Sequence, residues 1–163
     1  GNTSMATKIQ WQAKVFSELS LNQLYDLLKL RIDVFVVEQT CYYPDLDGID
    51  GERDRHPETI HLLGYQGEKL VAYLRILAKG QSYPNHISIG RVAIAEEGRG
   101  SGIGHEMMTQ ALELCKQSFA DENIKISAQE HLKAYYQQHG FTQMSEMYLE
   151  DGIPHIAMTR DAD

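Results

Sequence analysis

Apolar residues recur along the chain in two rhythms, and the changes between them mark out the elements. Residues 8–15 alternate, with Ile9, Trp11, Ala13 and Val15 on one side, which predicts a strand. Ser20 and Gln23 have capping-box spacing, and Leu21, Leu24, Tyr25, Leu27, Leu28, Ile32 and Phe35 follow at intervals of three and four. A helix over residues 21–36 is predicted. Residues 41–57, crowded with charge and holding two prolines and two glycines, read as a long loop. Loops of that length in compact domains are uncommon and often functional. Residues 60–65 and 70–77 form two strand-like runs around Gln66-Gly67-Glu68-Lys69, a hairpin signal. After a turn at 79–85, residues 87–95 form a third such run. Met107, Met108, Ala111, Leu112, Cys115 and Phe119 then repeat with helical spacing. Residues 124–128 read as a strand, and 132–138 as a short helix closed by Gly140. Residues 141–149 and 155–159 read as strands joined by a turn containing Glu150-Asp151-Gly152. The order β α β β β α β α β β predicts an α/β (α+β) domain. Its central sheet is mixed, mostly antiparallel, with helices on both faces.

Length sets the scale of this domain. At 163 residues the chain makes one domain. Gly1 to Ser4 precede the first methionine, Met5, and are set aside as a cloning remnant, leaving 5–163 as the domain. A composition 42% hydrophobic and 23% charged is that of a globular protein. A domain of this size can bury about 70% of its unfolded surface without a metal or disulfide staple. Apolar stretches such as residues 34–37 fall far short of the ~20 residues that span a bilayer. No apolar run follows a basic one near the start, so no signal peptide is expected. Cys41 and Cys115 make neither a disulfide framework nor a metal site. A cytoplasmic protein is the expectation. The net charge of −8, from 15 basic and 23 acidic residues, argues against duplex nucleic acid and anionic membranes as partners. It favours a cationic substrate such as an amine.

Chemistry concentrates at Arg99-Gly100-Ser101-Gly102-Ile103-Gly104, between a predicted strand and a predicted helix. Glycines there permit conformations that other residues avoid and let a ligand approach the main chain. The first N–H groups of the helix lack intrahelical acceptors and favour an anion, with a pyrophosphate as the natural guest. No G-K-[ST] follows, so this is not a P-loop. A Gly-rich turn with no ligand is the plain alternative.

The pattern R-x-x-G-x-G, carried by Arg99, Gly102 and Gly104, resembles the acetyl-CoA signature of the GNAT superfamily of N-acetyltransferases. Residues 133–141, K-A-Y-Y-Q-Q-H-G-F, match a second motif of that family in part. Residues 31–39, 45–48 and 151–158 resemble its ElaA-like branch. The resemblance covers nearly the whole chain and implies acetyl transfer from acetyl-CoA to an amine of a small molecule or protein. It implies that the backbone of Val92, Ala93 and Ile94 holds the pantetheine arm. The N–H groups from Arg99 through Gly100, Ser101, Gly102, Ile103 and Gly104 would hold the pyrophosphate. Homodimers are common among such domains, but no seam in this sequence marks an interface.

By the same resemblance Tyr136 is the general acid, and a phenol of pKa about 10 suits protonation of a thiolate. Tyr135 and Tyr136 project about 100° apart on a helix, so one can be buried while the other faces a site. Some relatives use a glutamate as base where this chain has Ser88. Glu38 at an apolar helix end, His61 on a strand and His155 after Pro154 are the candidates to replace it, Glu38 foremost, with His61 and His155 otherwise expected to bind substrate, and each has an ordinary structural role as the alternative. A water chain is another route for the proton. Asp45, Asp47 and Asp50 begin like a calcium loop, but the glycine is out of register and no closing glutamate follows. Two other functions compete. The lack of an obvious base suggests a non-catalytic CoA-binding or interaction module. An R-x-x-x-F element, Arg31 to Phe35, suggests an acyl-homoserine lactone synthase, without the rest of that motif.

Overall fold

The computed structural model describes residues 8–39 and 48–163. Strand β1 (Gln10–Lys14) leads to helix α1 (Leu21–Arg31). The predicted capping box is formed: the Gln23 N–H donates to Ser20 Oγ and the Ser20 N–H to Gln23 Oε1, each at 3.0 Å. The helix does not end as predicted. It widens into π-helical turns over Ile32–Glu38, with the Gln39 N–H reaching back to the Val34 carbonyl at 3.3 Å. β-Branched residues at 32, 34, 36 and 37 crowd an α turn, and the wider turn relieves them.

The expected loop at 41–57 is corrected where it is described, because helix α2 occupies Gly48–Arg55. Its buried face carries Asp50 and Asp54, four residues apart, so its amphipathicity is one of charge and hydrophobic periodicity misses it. Cys41, Asp45 and Asp47 lie outside the described residues, and Asp50 is bound by arginines, as shown below.

Strands β2 (Ile60–Gln66), β3 (Lys69–Leu77) and β4 (Ser88–Ile94) join β1 in an antiparallel sheet ordered β1-β2-β3-β4. Residues 70–77 of β3 are buried without alternation, so both faces of this sheet are covered. Helices α1 and α3 (Ile103–Ser118) both pack against β3. A second sheet holds β5 (Ile124–Gln129), β6 (Thr142–Gln143), β7 (Tyr148–Glu150) and β8 (Ile153–Arg160), with β8 pairing all three others antiparallel. The predicted strand 141–149 is therefore broken in two. The Ala157 N–H donates to the Ser145 side chain at 2.9 Å, so a hydroxyl takes the place of a ladder carbonyl there. Between β5 and β6 lies the short helix α4 (Lys133–Gln138).

The mixed character of the sheet comes from one parallel bridge, Ile87 to Ile124, flanked by N–H···O bonds of 3.1 and 2.9 Å. Beyond it, β4 pairs with β3 alone among the described residues. The two sheets thus part after the bridge, and the edge of β4 that faces β5 has no strand partner among the described residues. One apolar core runs beneath both, from Leu62, Leu74 and Met107 to Ile126, Ile156 and Met158.

Candidate active site

A bulge shapes the parted edge. Tyr73 pairs with Ala93 and Arg75 with Gly90, so Arg91 and Val92 together face one residue of β3. Arg91 adopts φ 52°, a left-handed conformation that costs a non-glycine residue roughly 1–3 kcal/mol and persists only where the surroundings hold it. They do: its Nη2 donates to Asp50 Oδ2 at 2.7 Å.

Asp50 and Asp54 of α2 knit this region together. Arg75 donates to Asp50 Oδ1 at 2.6 Å and to Asp54 Oδ1 at 2.7 Å, and Arg31 Nη1 reaches both oxygens of Asp54 at 3.0 and 2.9 Å. Burial pushes Asp50 up, but the guanidiniums of Arg75 and Arg91 outweigh it and hold the carboxyl below its usual range. Burial likewise pulls Arg75 down while Asp54 and Asp50 raise it, and the carboxylates win. Arg31, which is 0% exposed, is sustained in the core by its carboxylate partner.

Between the parted sheets lies a cavity of about 460 Å³. Arg53, Arg75 and Arg91 line one side, with Val92 and Tyr136 also at its wall; Ser127, Glu150 and His155 line it from the second sheet. Tyr136 is 5% exposed, its ring packed edge-on to Tyr135 and Phe141 at 4.9 and 5.7 Å between centroids. Burial, then the neighbouring Tyr135, pushes its phenol well above the ordinary value. Tyr135 faces elsewhere: its hydroxyl donates to the Gly104 carbonyl at 2.6 Å, and burial raises it to about 12.

At the end of β4 the glycine turn opens outward. Gly100 and Gly102 have φ 79° and 81°, with nothing within 4 Å of where a Cβ would stand. Gly102 is the N-cap of α3 and supplies no side chain; the first helical bond is Glu106 N–H to the Gly102 carbonyl at 3.1 Å. The N–H groups of Ile103, Gly104 and His105 precede that bond and point toward the turn. A Cβ on Gly104 would stand 3.1 Å from Ile94 Cδ1, so helix and strand approach closely there. Arg99 Nε and Nη2 donate to the Ile94 carbonyl at 3.1 and 3.0 Å, and Ser101 Oγ donates to the Gly98 carbonyl at 2.7 Å.

The candidate bases are separated by the fold. Glu38 accepts from Arg99 Nη2 at 2.6 Å and borders a different cavity, so it is not brought together with Tyr136. His61 is 1% exposed, with Nδ1 at 2.7 Å from the Tyr73 hydroxyl and Nε2 at 2.9 Å from the Asp54 carbonyl. The expectation that His61 binds substrate is thereby corrected, since both ring nitrogens are engaged inside the protein. Burial holds His61 below the ordinary histidine value. His155 does line the cavity, as does Ser88. Sequence reading missed the Asp50–Asp54–arginine network, whose trace is the i,i+4 aspartate pair. It also missed Ser127, Tyr148 and Glu150, of which Glu150 stands directly before the stretch 151–158 that resembles the ElaA-like branch.

An open glycine turn with uncommitted helix N–H groups suits a pyrophosphate, and the unpaired edge of β4 suits an extended amide arm. The residues present therefore fit coenzyme A. These features define an acyltransferase of one particular architecture, and the chain belongs to the family described as the acetyltransferase (GNAT) domain, whose model matches residues 49–162. Among its relatives, Protein ElaA of Escherichia coli K12 is 46% identical over 153 residues, spanning 94% of this chain and 97% of that protein. The crystal structure of Escherichia coli ElaA superposes with a TM-score of 0.86 at 44% identity, covering 94% of this chain and 99% of that one. An acyl-CoA N-acyltransferase from Pseudomonas aeruginosa gives the same TM-score, 0.86, at 42% identity and the same coverage, 94% and 99%.

Proposed function

We propose that this chain transfers an acetyl group from acetyl-CoA to the amine of a small molecule or protein. The observation that carries this reading is the open Gly100–Gly102 turn at the head of α3, set at the end of a strand whose unpaired edge leads to the cavity beneath Tyr136. The similar Pseudomonas aeruginosa protein bears the description acyl-CoA N-acyltransferase, in keeping with it.

Acetyl-CoA, when bound, would supply an activated thioester. The N–H groups of Ile103, Gly104 and His105, with those of the glycine turn, hold the pyrophosphate, and Val92 and Ala93 offer backbone groups to the pantetheine arm. Arg99 fastens the turn to β4 through the Ile94 carbonyl and to the π-helical turn through Glu38. Tyr136 presents the phenol that protonates the leaving thiolate. Its raised pKa keeps it protonated across the working pH range, as an acid for this step must be.

Calorimetric titration with acetyl-CoA tests the reading. Wild type is expected to bind saturably, and Gly102→Asp, which sets a carboxylate among the helix N–H groups, to lose at least about tenfold in affinity. Gly102→Asn, similar in shape and in its tolerance of left-handed φ but uncharged, is expected to lose less, which separates the charge from backbone strain. Equal binding by wild type and Gly102→Asp sinks the assignment. Binding without acetylation of any amine would make the chain a binding module.

A further inference from the structure

One wall of the cavity holds a group of side chains that the reading above leaves without a task. His155 Nδ1 lies 2.7 Å from the Ile153 carbonyl oxygen. That oxygen can only accept, so Nδ1 carries a hydrogen, and in the neutral ring the lone pair sits on Nε2. Nε2 lies 3.5 Å from Glu150 Oε2, and the ring stacks on Tyr148 at 6.2 Å. Ser127 Oγ donates to the other oxygen, Glu150 Oε1, at 3.1 Å, and lies 2.5 Å from the Tyr148 hydroxyl. Because the serine hydrogen is spent on Glu150, the Tyr148 hydroxyl donates to Ser127. A chain of donors thus runs from Tyr148 through Ser127 to Glu150 and fixes the carboxylate beside the imidazole.

The opposite wall is lined by Arg53, Arg75 and Arg91. An ammonium ion entering the cavity is repelled from that side and attracted to Glu150. Resting on the function proposed above, we infer that His155 is the proton acceptor for the reaction, that Glu150 anchors the incoming ammonium, and that the acceptor is a primary amine bound in its protonated form. Ser127 and Tyr148 are positioning residues.

The proton count closes. His155 Nε2 takes one of the three ammonium protons, leaving a neutral amine with a lone pair, and Glu150 balances the imidazolium. As the C–N bond forms and the C–S bond breaks, the amine nitrogen loses a second proton. Tyr136 gives its proton to sulfur and regains that second one, and His155 releases the first to solvent. The products are an amide, a thiol and one proton.

Several ionisable groups face His155. Glu150 and Tyr148 come from β7, Asp151 of the following turn lines the same cavity, and Glu130 and His131 belong to the short turn packed on β8. Tyr83 also faces this wall, its phenol raised by burial and then by Tyr148 and Glu150. Across the cavity stand Asp50 and the three arginines, and β5 offers the neutral Gln129 opposite His155.

The test uses the full chain with acetyl-CoA and spermidine as the primary-amine probe. Asparagine at 155 keeps a donor for the Ile153 carbonyl and removes Nε2. His155→Asn is expected to lower kcat/KM by about 100-fold and to flatten the acidic limb of its pH profile. Glu150→Gln is expected to raise the KM for spermidine. In nitrogen-15 spectra of labelled histidines, the His155 Nε2 signal should move saturably with spermidine in wild type and need a higher spermidine concentration to move in Glu150→Gln. Calorimetry on each variant should return wild-type affinity for acetyl-CoA. An acidic limb unchanged in His155→Asn, or a His155 signal that spermidine leaves in place, overturns the inference. Wild type that does not bind acetyl-CoA overturns the reading it rests on.

Discussion

Under the proposed function Tyr136 is a core residue and a reagent together. Its ring is packed among aromatics while its edge reaches the cavity, so truncation has to separate two roles. Tyr136→Phe keeps the ring, and turnover is expected to fall about 100-fold with little change in acetyl-CoA affinity or melting temperature. Lost stability with unchanged turnover would reduce Tyr136 to packing. His61 makes the complementary case of a histidine kept neutral by burial. The unfolded chain binds a proton that the folded chain refuses, so stability rises with pH through this region. The contribution is complete above the unfolded value of about 6.5 and is lost as pH falls toward the lower folded value. His139, lowered by burial, by His105 and by Arg160, acts in the same direction. Urea midpoints should therefore drop from about pH 7 to about pH 5, and His61→Gln should remove part of that slope.

Among the elements, those built on apolar spacing were legible and those built on charge were not. The capping box at Ser20, the hairpin around Gly67 and the helix after the glycine turn all stand where the sequence predicts them. Helix α2 was hidden because its buried face is Asp50 and Asp54, and no hydropathy scale reads aspartate as interior. The break between β6 and β7 was hidden because it depends on a serine hydroxyl bonding to a distant strand. The glycine turn was legible because its geometry is local: a few consecutive residues set both the backbone freedom and the helix N-terminus. The wall formed by Ser127, Glu150 and His155 was not, since these residues meet only when β5, β7 and β8 assemble. Strand packing also sets a steric test. A Cβ on Gly64 of β2 would stand 2.5 Å from the Trp11 ring, whose indole N–H donates to Glu106 of α3 at 2.8 Å. Gly64→Ala must displace the indole, and thermal unfolding should report a loss of about 1–3 kcal/mol.

On the scale of the whole molecule, the ion network between α1, α2, β3 and β4 does what apolar contacts do elsewhere. Asp54 receives both Arg31 and Arg75, neither of which is more than 3% exposed. Removing a carboxylate from two interior guanidiniums is far worse than removing one from the surface. Asp54→Ala should lose about 3–5 kcal/mol in denaturant unfolding, and a loss below about 1 kcal/mol would show that the pairs add nothing net. The two sheets are coupled differently, through a shared core and, among the described residues, one bridge from Ile87 to Ile124. That narrow joint assigns the two halves of the proposed reaction to separate parts of the chain: the acyl donor to β4 and the turn before α3, the acceptor to the later strands. Substitutions on β5, β7 and β8 can therefore change which acceptor fits without disturbing the glycine turn, provided Tyr136 between them is kept.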